Sequence, residues 1–106
     1  MNFVLLVGTV ISKVTDKSTP KRAGGVPTAS FIMTTNRYWI DKTTMLERSE
    51  ASHHIIIAFN ELVDVIVQRI KPGLKVAVQG QLQYYKPPAG GVVCQVKANL
   101  LDILDD

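Results

Sequence analysis

Cysteine is nearly missing. Cys94 is the only one in 106 residues, so no internal disulfide and no cysteine-built zinc site can form, as befits a reducing compartment. No apolar run nears the roughly 20 residues that a membrane-spanning helix needs. P-loop, GxSxG and HExxH motifs are absent, and the acids Asp41, Glu47 and Glu50 have no partner nucleophile. Nothing therefore argues for an enzyme, a small-molecule substrate or a cofactor. Internal repeats and linker-like stretches are lacking too, so one domain over 1–106 is expected. The opening MNFVLLVGTVISK has no basic lead and runs directly into a strand pattern, which speaks against a signal peptide.

What is present begins with charge. The net charge is +3, but its distribution is uneven. All 12 lysines and arginines and six of the nine acids precede Asp102, while Asp102, Asp105 and Asp106 close the chain. A basic body with an acidic end favours a polyanionic partner such as nucleic acid. A slightly basic, merely solvated surface would look the same on charge alone.

Periodicity supplies the architecture. Phe3–Val14 reads as a strand bent at Gly8, and Val26–Tyr38 as a second, alternating strand. Between them lies the Pro- and Gly-containing basic loop TDKSTPKRAGG. Trp39–Ala51 reads as a polar loop or hairpin tip, and Ser52–Phe59 as a β-branched third strand. Asn60 is placed to cap a helix over Glu61–Ile70, where Leu62, Val63, Ile66 and Ile70 recur at helical spacing. Pro72-Gly73 ends it. Leu74–Lys86 then alternates as a fourth strand interrupted at Gly80, and Val92–Ile103 is the fifth. With no long crossover helix, antiparallel neighbours are expected throughout. Five strands with one helix between the third and fourth predict an all-β OB-fold, a five-stranded Greek-key barrel; an SH3-like barrel is the nearest rival.

Single strands of nucleic acid bind where flat π-faces stand beside cations that follow the backbone. The candidate rings are Trp39, Phe59, Tyr84 and Tyr85, with Tyr38 adjacent. The candidate cations are Arg37, Lys42, Lys75 and Lys86, together with Lys21 and Arg22 of the first loop. One groove holding rings and cations together is the expectation. Each residue also has a packing alternative: Trp39 in the core, Phe59 closing the barrel, a solvated loop for Lys21 and Arg22. Tyr84 and Tyr85 must face opposite ways, so at least one should be exposed. His53-His54 cannot share a metal without distortion for the same reason, and no further ligand sits at a metal-site spacing, so no metal is expected.

The blocks FVLLVGTV, ASFIMTTNRYWIDK, HHIIIAFNELVDVIVQRIKPGLKVAVQGQL and LLDIL resemble the single-stranded DNA-binding proteins of bacteria and mitochondria. The resemblance covers nearly the whole chain and is most specific from His54 to Leu82. It implies an OB-fold subunit of a homo-oligomer, a tetramer or dimer, that binds single-stranded DNA in replication, recombination or repair, in a bacterial cytoplasm or a mitochondrion. Trp39 and Phe59 match the family's stacking tryptophan and phenylalanine. His53 stands where a second tryptophan is usual, and Pro87 where a third aromatic is. The resemblance further implies subunit contacts by the first strand, with Leu5 and Val7, and by His54. The family's glycine-rich acidic tail has no counterpart within these residues. The chain is also similar to OB-fold subunits of the kinetoplastid RNA-editing complex and to primosomal replication protein B. That likeness leaves RNA as a possible ligand and a scaffold subunit of a larger complex as the alternative role.

Overall fold

The computed structural model describes residues 1–16 and 26–104. Its elements are β1 (Val4–Val10), β2 (Thr15–Asp16), β3 (Thr28–Ile40), β4 (Glu47–Phe59), α1 (Glu61–Arg69), β5 (Lys75–Tyr85) and β6 (Val93–Leu104). The strands hydrogen-bond in the order β1-β5-β6-β4-β3-β2, and β3 pairs back onto β1 at Thr9↔Thr34 and Val10↔Met33. That second pairing closes the sheet. The five expected long strands and the helix after the third of them are all there; the two-residue β2 is an addition on the flank of β3.

One expectation fails. β4 and β6 run parallel, with Ile56 opposite Val96 and Ile57 opposite Lys97. A parallel pair needs a long return path, and a crossover helix is not the only one. Here α1 and the whole of β5 together make the return, which a search for a single crossover helix overlooks.

Alternation explains the core. Phe31 and Met33 of β3, Ile56 and Ala58 of β4, Val76 and Val78 of β5, and Val96 and Ala98 of β6 all point inward and are buried. α1 turns Val63 and Ile66 onto the barrel, joined by Ile70 just beyond its end. Asn60 precedes the helix, but its side chain makes no capping bond. It takes φ 58 instead, and its carbonyl accepts the Val63 N–H at 3.1 Å. After the helix, Gly73 at φ 98 donates to the Val10 carbonyl, and the Val10 N–H donates to the Leu74 carbonyl. These two bonds tie the helix exit to the end of β1.

Gly8 and Gly80 mark close crossings. A Cβ on Gly8 would lie 2.0 Å from the Thr34 carbonyl oxygen, and one on Gly80 2.0 Å from that of Lys97. At Gly80 the ladder also slips: Gln79 faces Leu100 but Gly80 faces Ala98, so Asn99 is left over as a bulge. A bulge of this kind turns a strand sharply, which a small barrel requires.

The polar excursion is strand on both sides. β3 and β4 stay in unbroken register from Thr28↔Phe59 to Ile40↔Glu47. The connecting turn shrinks to residues 41–46, organised by Asp41. Its Oδ1 accepts the N–H groups of Thr43 and Thr44 at 2.8 and 3.4 Å, and its carbonyl accepts that of Met45 at 2.7 Å. The strand pattern was invisible here because this part of the hairpin projects past the barrel. With water on both faces, apolar alternation has no reason to continue.

Candidate nucleic-acid interface

Because Ile56 and Ala58 point inward, His53, Ile55, Ile57 and Phe59 occupy the outer face of β4. Register continues that face across the neighbouring strands. Ile57 lies beside Lys97 of β6, and Gln81, Gln83 and Tyr85 of β5 lie beside Lys97, Gln95 and Val93. Lys97 places its ammonium 5.6 Å from the centroid of the Phe59 ring, within reach of cation–π attraction. Gln95 donates to Gln83 at 3.1 Å and is buried by its neighbours. A groove of about 290 Å³ lies along Ile55, Ile57, Tyr85 and Gln95, with Ser30, Ile32 and Lys13 on its other side. Its walls are mixed: isoleucines alternate with serines, Thr15 and Gln95, and Tyr85 and one cation, Lys13, complete the lining.

Trp39 belongs to a second surface. It shares the parity of Phe31 and Met33, but so far along β3 that the barrel no longer covers it. Arg37, two residues back on the same face, holds its guanidinium 4.8 Å from the indole centroid. Across the ladder stand Arg48 opposite Trp39 and Glu50 opposite Arg37. Arg48 reaches Asp41 at 3.5 Å. Tyr38 and Ile40 project from the other face of the same arm, both exposed. Lys42 lies exposed in the turn.

The expected single groove is thus divided. Phe59, Tyr85 and His53 share the outer barrel face, where His53 is exposed and sits opposite Thr34. Trp39 and Arg37 share the opposite pleat face of the arm. Tyr84 and Tyr85 do point opposite ways, yet both are exposed, because the end of β5 also outruns the barrel. Tyr84 pairs with Cys94 across the ladder. The hydrogen bond to that thiol, then the charge of the Cys94 sulfur, then burial push the Tyr84 phenol above its ordinary range. Lys86 is exposed just beyond Tyr85. Lys75 stands with neither set of rings; its ladder neighbours are Thr9 and Leu104. Lys21 and Arg22 lie outside the described residues.

Lys97 and Arg48 escaped the sequence reading, as did Lys13. The signal for Lys97 was there: in VCQVKANL it alternates with buried Val96 and Ala98, so it must face outward beside Gln95. Arg48 was hidden in the stretch read as loop.

His54 points the other way from His53 and is half-buried, sharing a 2.8 Å hydrogen bond with the Thr35 hydroxyl. Burial, then repulsion from His53, lower its pKa from 6.5. Among the described residues no group of three or more His, Cys, Asp or Glu gathers into a metal site. Leu5 and Val7 of β1, with Phe3 just before it, form an exposed apolar row. Among the described residues β1 meets β3 only at Thr9 and Val10, so no described strand pairs with the edge of Val4–Val7 on that side.

A closed β-barrel with one helix after its third long strand, and outward rings beside cations, is the plan of the oligonucleotide-binding OB-fold class. Within that class the chain belongs to the single-strand binding protein family, whose model matches residues 1–96. It is 32% identical over 87 residues to the single-stranded DNA-binding protein of Rhizobium meliloti, covering 81% of this chain and 48% of that one. The chain thus spans about half the length of that curated relative. Among solved structures it is similar to a Plasmodium falciparum SSB complex with ssDNA, at TM-score 0.82 and 27% identity, covering 99% of this chain and 96% of the other. The wild-type single-stranded DNA binding protein of Thermus aquaticus shares the fold at TM-score 0.81 and 22% identity, over 99% of this chain and 50% of that one.

Proposed function

We propose that the chain binds single-stranded DNA with little sequence preference, without catalysing a reaction, in replication, recombination or repair. The observation that carries this is the pairing of ring with cation on two exposed surfaces, Lys97 over Phe59 and Arg37 over Trp39, in a member of the single-strand binding family. Every base offers a π-face, so stacking on Phe59, Tyr85 and Trp39 is sequence-tolerant, at about 1–3 kcal/mol per base. Lys97, Arg37, Arg48 and Lys86 would track the phosphates, and each phosphate neutralised releases counterions, which makes binding salt-sensitive. The test is a titration of the protein with oligo-dT, a matched RNA and the same sequence as duplex, followed by Trp39 emission. Tight, salt-sensitive quenching by oligo-dT and little by duplex is expected. No binding of either single strand would leave the scaffold role as the surviving account.

Self-association belongs to the same proposal. The exposed row Phe3, Leu5 and Val7, on a strand edge that no other described strand pairs with, supports a dimer or tetramer, since an open edge is a pairing template. His54 at the neighbouring barrel end would lie close to such a contact. The single free cysteine supports a reducing compartment, the bacterial cytoplasm or the mitochondrion.

A further inference from the structure

We infer that Asp41 is an internal stand-in for phosphate, a latch that holds Arg48 until a nucleic-acid strand displaces it; this rests on the single-strand-binding reading above. Arg48 lies directly opposite Trp39 in the ladder, on the face that also carries Arg37. A nucleotide stacked on the half-exposed indole would bring its phosphate to these two guanidiniums. One of them is already engaged. Asp41 Oδ2 stands 3.5 Å from Arg48 Nη2, and a carboxylate offers a guanidinium the same oxygen geometry as a phosphate. The contact is single-pronged and half-exposed, so it is weak enough to exchange.

The other Asp41 oxygen has a separate task. Oδ1 accepts the N–H groups of Thr43 and Thr44 and so shapes the turn. An asparagine can do this equally well, so Asp41→Asn removes the latch while keeping the arm folded. Arg37 differs in kind. Its guanidinium lies 4.8 Å from the Trp39 centroid, so it steadies the ring as well as meeting a phosphate, whereas Arg48 must first leave Asp41.

The test is a double-mutant cycle on Asp41 and Arg48, read by fluorescein-labelled oligo-dT at several salt concentrations. Asp41→Asn is expected to bind roughly two- to fivefold tighter, the worth of an exposed ion pair relieved. Arg48→Gln is expected to weaken binding and to flatten the plot of log K against log salt by about 0.7, one phosphate contact on a single strand. Adding Asp41→Asn to Arg48→Gln should then give no further gain, since the latch has nothing left to hold. An equal gain in both backgrounds would mean that Asp41 merely repels the strand, and would overturn the inference. So would an Arg48→Gln slope equal to that of the wild type. Absence of oligo-dT binding by the wild type would overturn the reading and the inference together, whereas normal wild-type binding with a flat cycle would remove the inference alone.

Discussion

β3 and β4 are each 13 residues long and paired without a slip, yet their two halves live in different worlds. From Thr28 to Met33 and from His54 to Phe59 they are barrel wall, with Ala29, Phe31, Met33, Ile56 and Ala58 sealed inside. From Asn36 to Ile40 and from Glu47 to Ala51 they are an arm in water, where Trp39 is only half-covered and Tyr38 and Ile40 are bare. Identical hydrogen bonding therefore serves two ends. In the wall, side chains hold the fold; on the arm, the same parity sets a ring and two guanidiniums in front of solvent. Burial rather than backbone decides which.

The sharpest way to break this comparison is to swap what each half is said to do. Ile56→Ala in the wall should destabilise the protein by about 2–5 kcal/mol in chemical denaturation, the usual loss for a fully buried side chain that leaves a cavity. Its oligo-dT affinity, measured where it is folded, should change little. Phe59→Ala, on the outer wall beside Lys97, should lose about 1–3 kcal/mol of oligo-dT affinity, seen as a shifted binding isotherm. Lys97→Gln should cost less. It should lower the salt slope by about 0.7 while leaving duplex discrimination intact.

The smallest effect is a dependence on pH. The folded pKa of His54 lies below the 6.5 of the unfolded chain, so the fold binds fewer protons than the unfolded state in that interval. Its contribution to stability is complete above pH 6.5 and is lost as pH falls toward the folded value. A denaturation midpoint that drops between pH 7.5 and 5.5, with a smaller drop in His54→Gln, is the expected result. An identical drop in the variant would assign the effect elsewhere.

The wall was legible in the sequence and the arm was not. In FIM and IIIAF the alternation and β-branching report the inside of a barrel, and Gly8 and Gly80 announce its crossings. WIDKTTMLERSEA carries no such record, because both of its faces are wet and no side chain there is obliged to be apolar. An extended loop or a hairpin tip is all that such a stretch suggests; the hairpin is there, but its strands run further than the pattern tells and carry Arg48 with them. The parallel β4–β6 pair was unreadable for another reason: it depends on α1 and β5 acting jointly as a return path. Among the candidate site residues, Trp39, Phe59 and Arg37 stand out by type, but only parity and register assign Phe59 and Trp39 to different surfaces.

Trp39→Ala tests most directly whether recognition and stability are separated along one hairpin. Its denaturation midpoint and its oligo-dT affinity should be measured on the same preparation. An unchanged midpoint with affinity lower by about 1–3 kcal/mol is the expected result. A lowered midpoint with undiminished affinity would make the indole a packing residue and contradict the account.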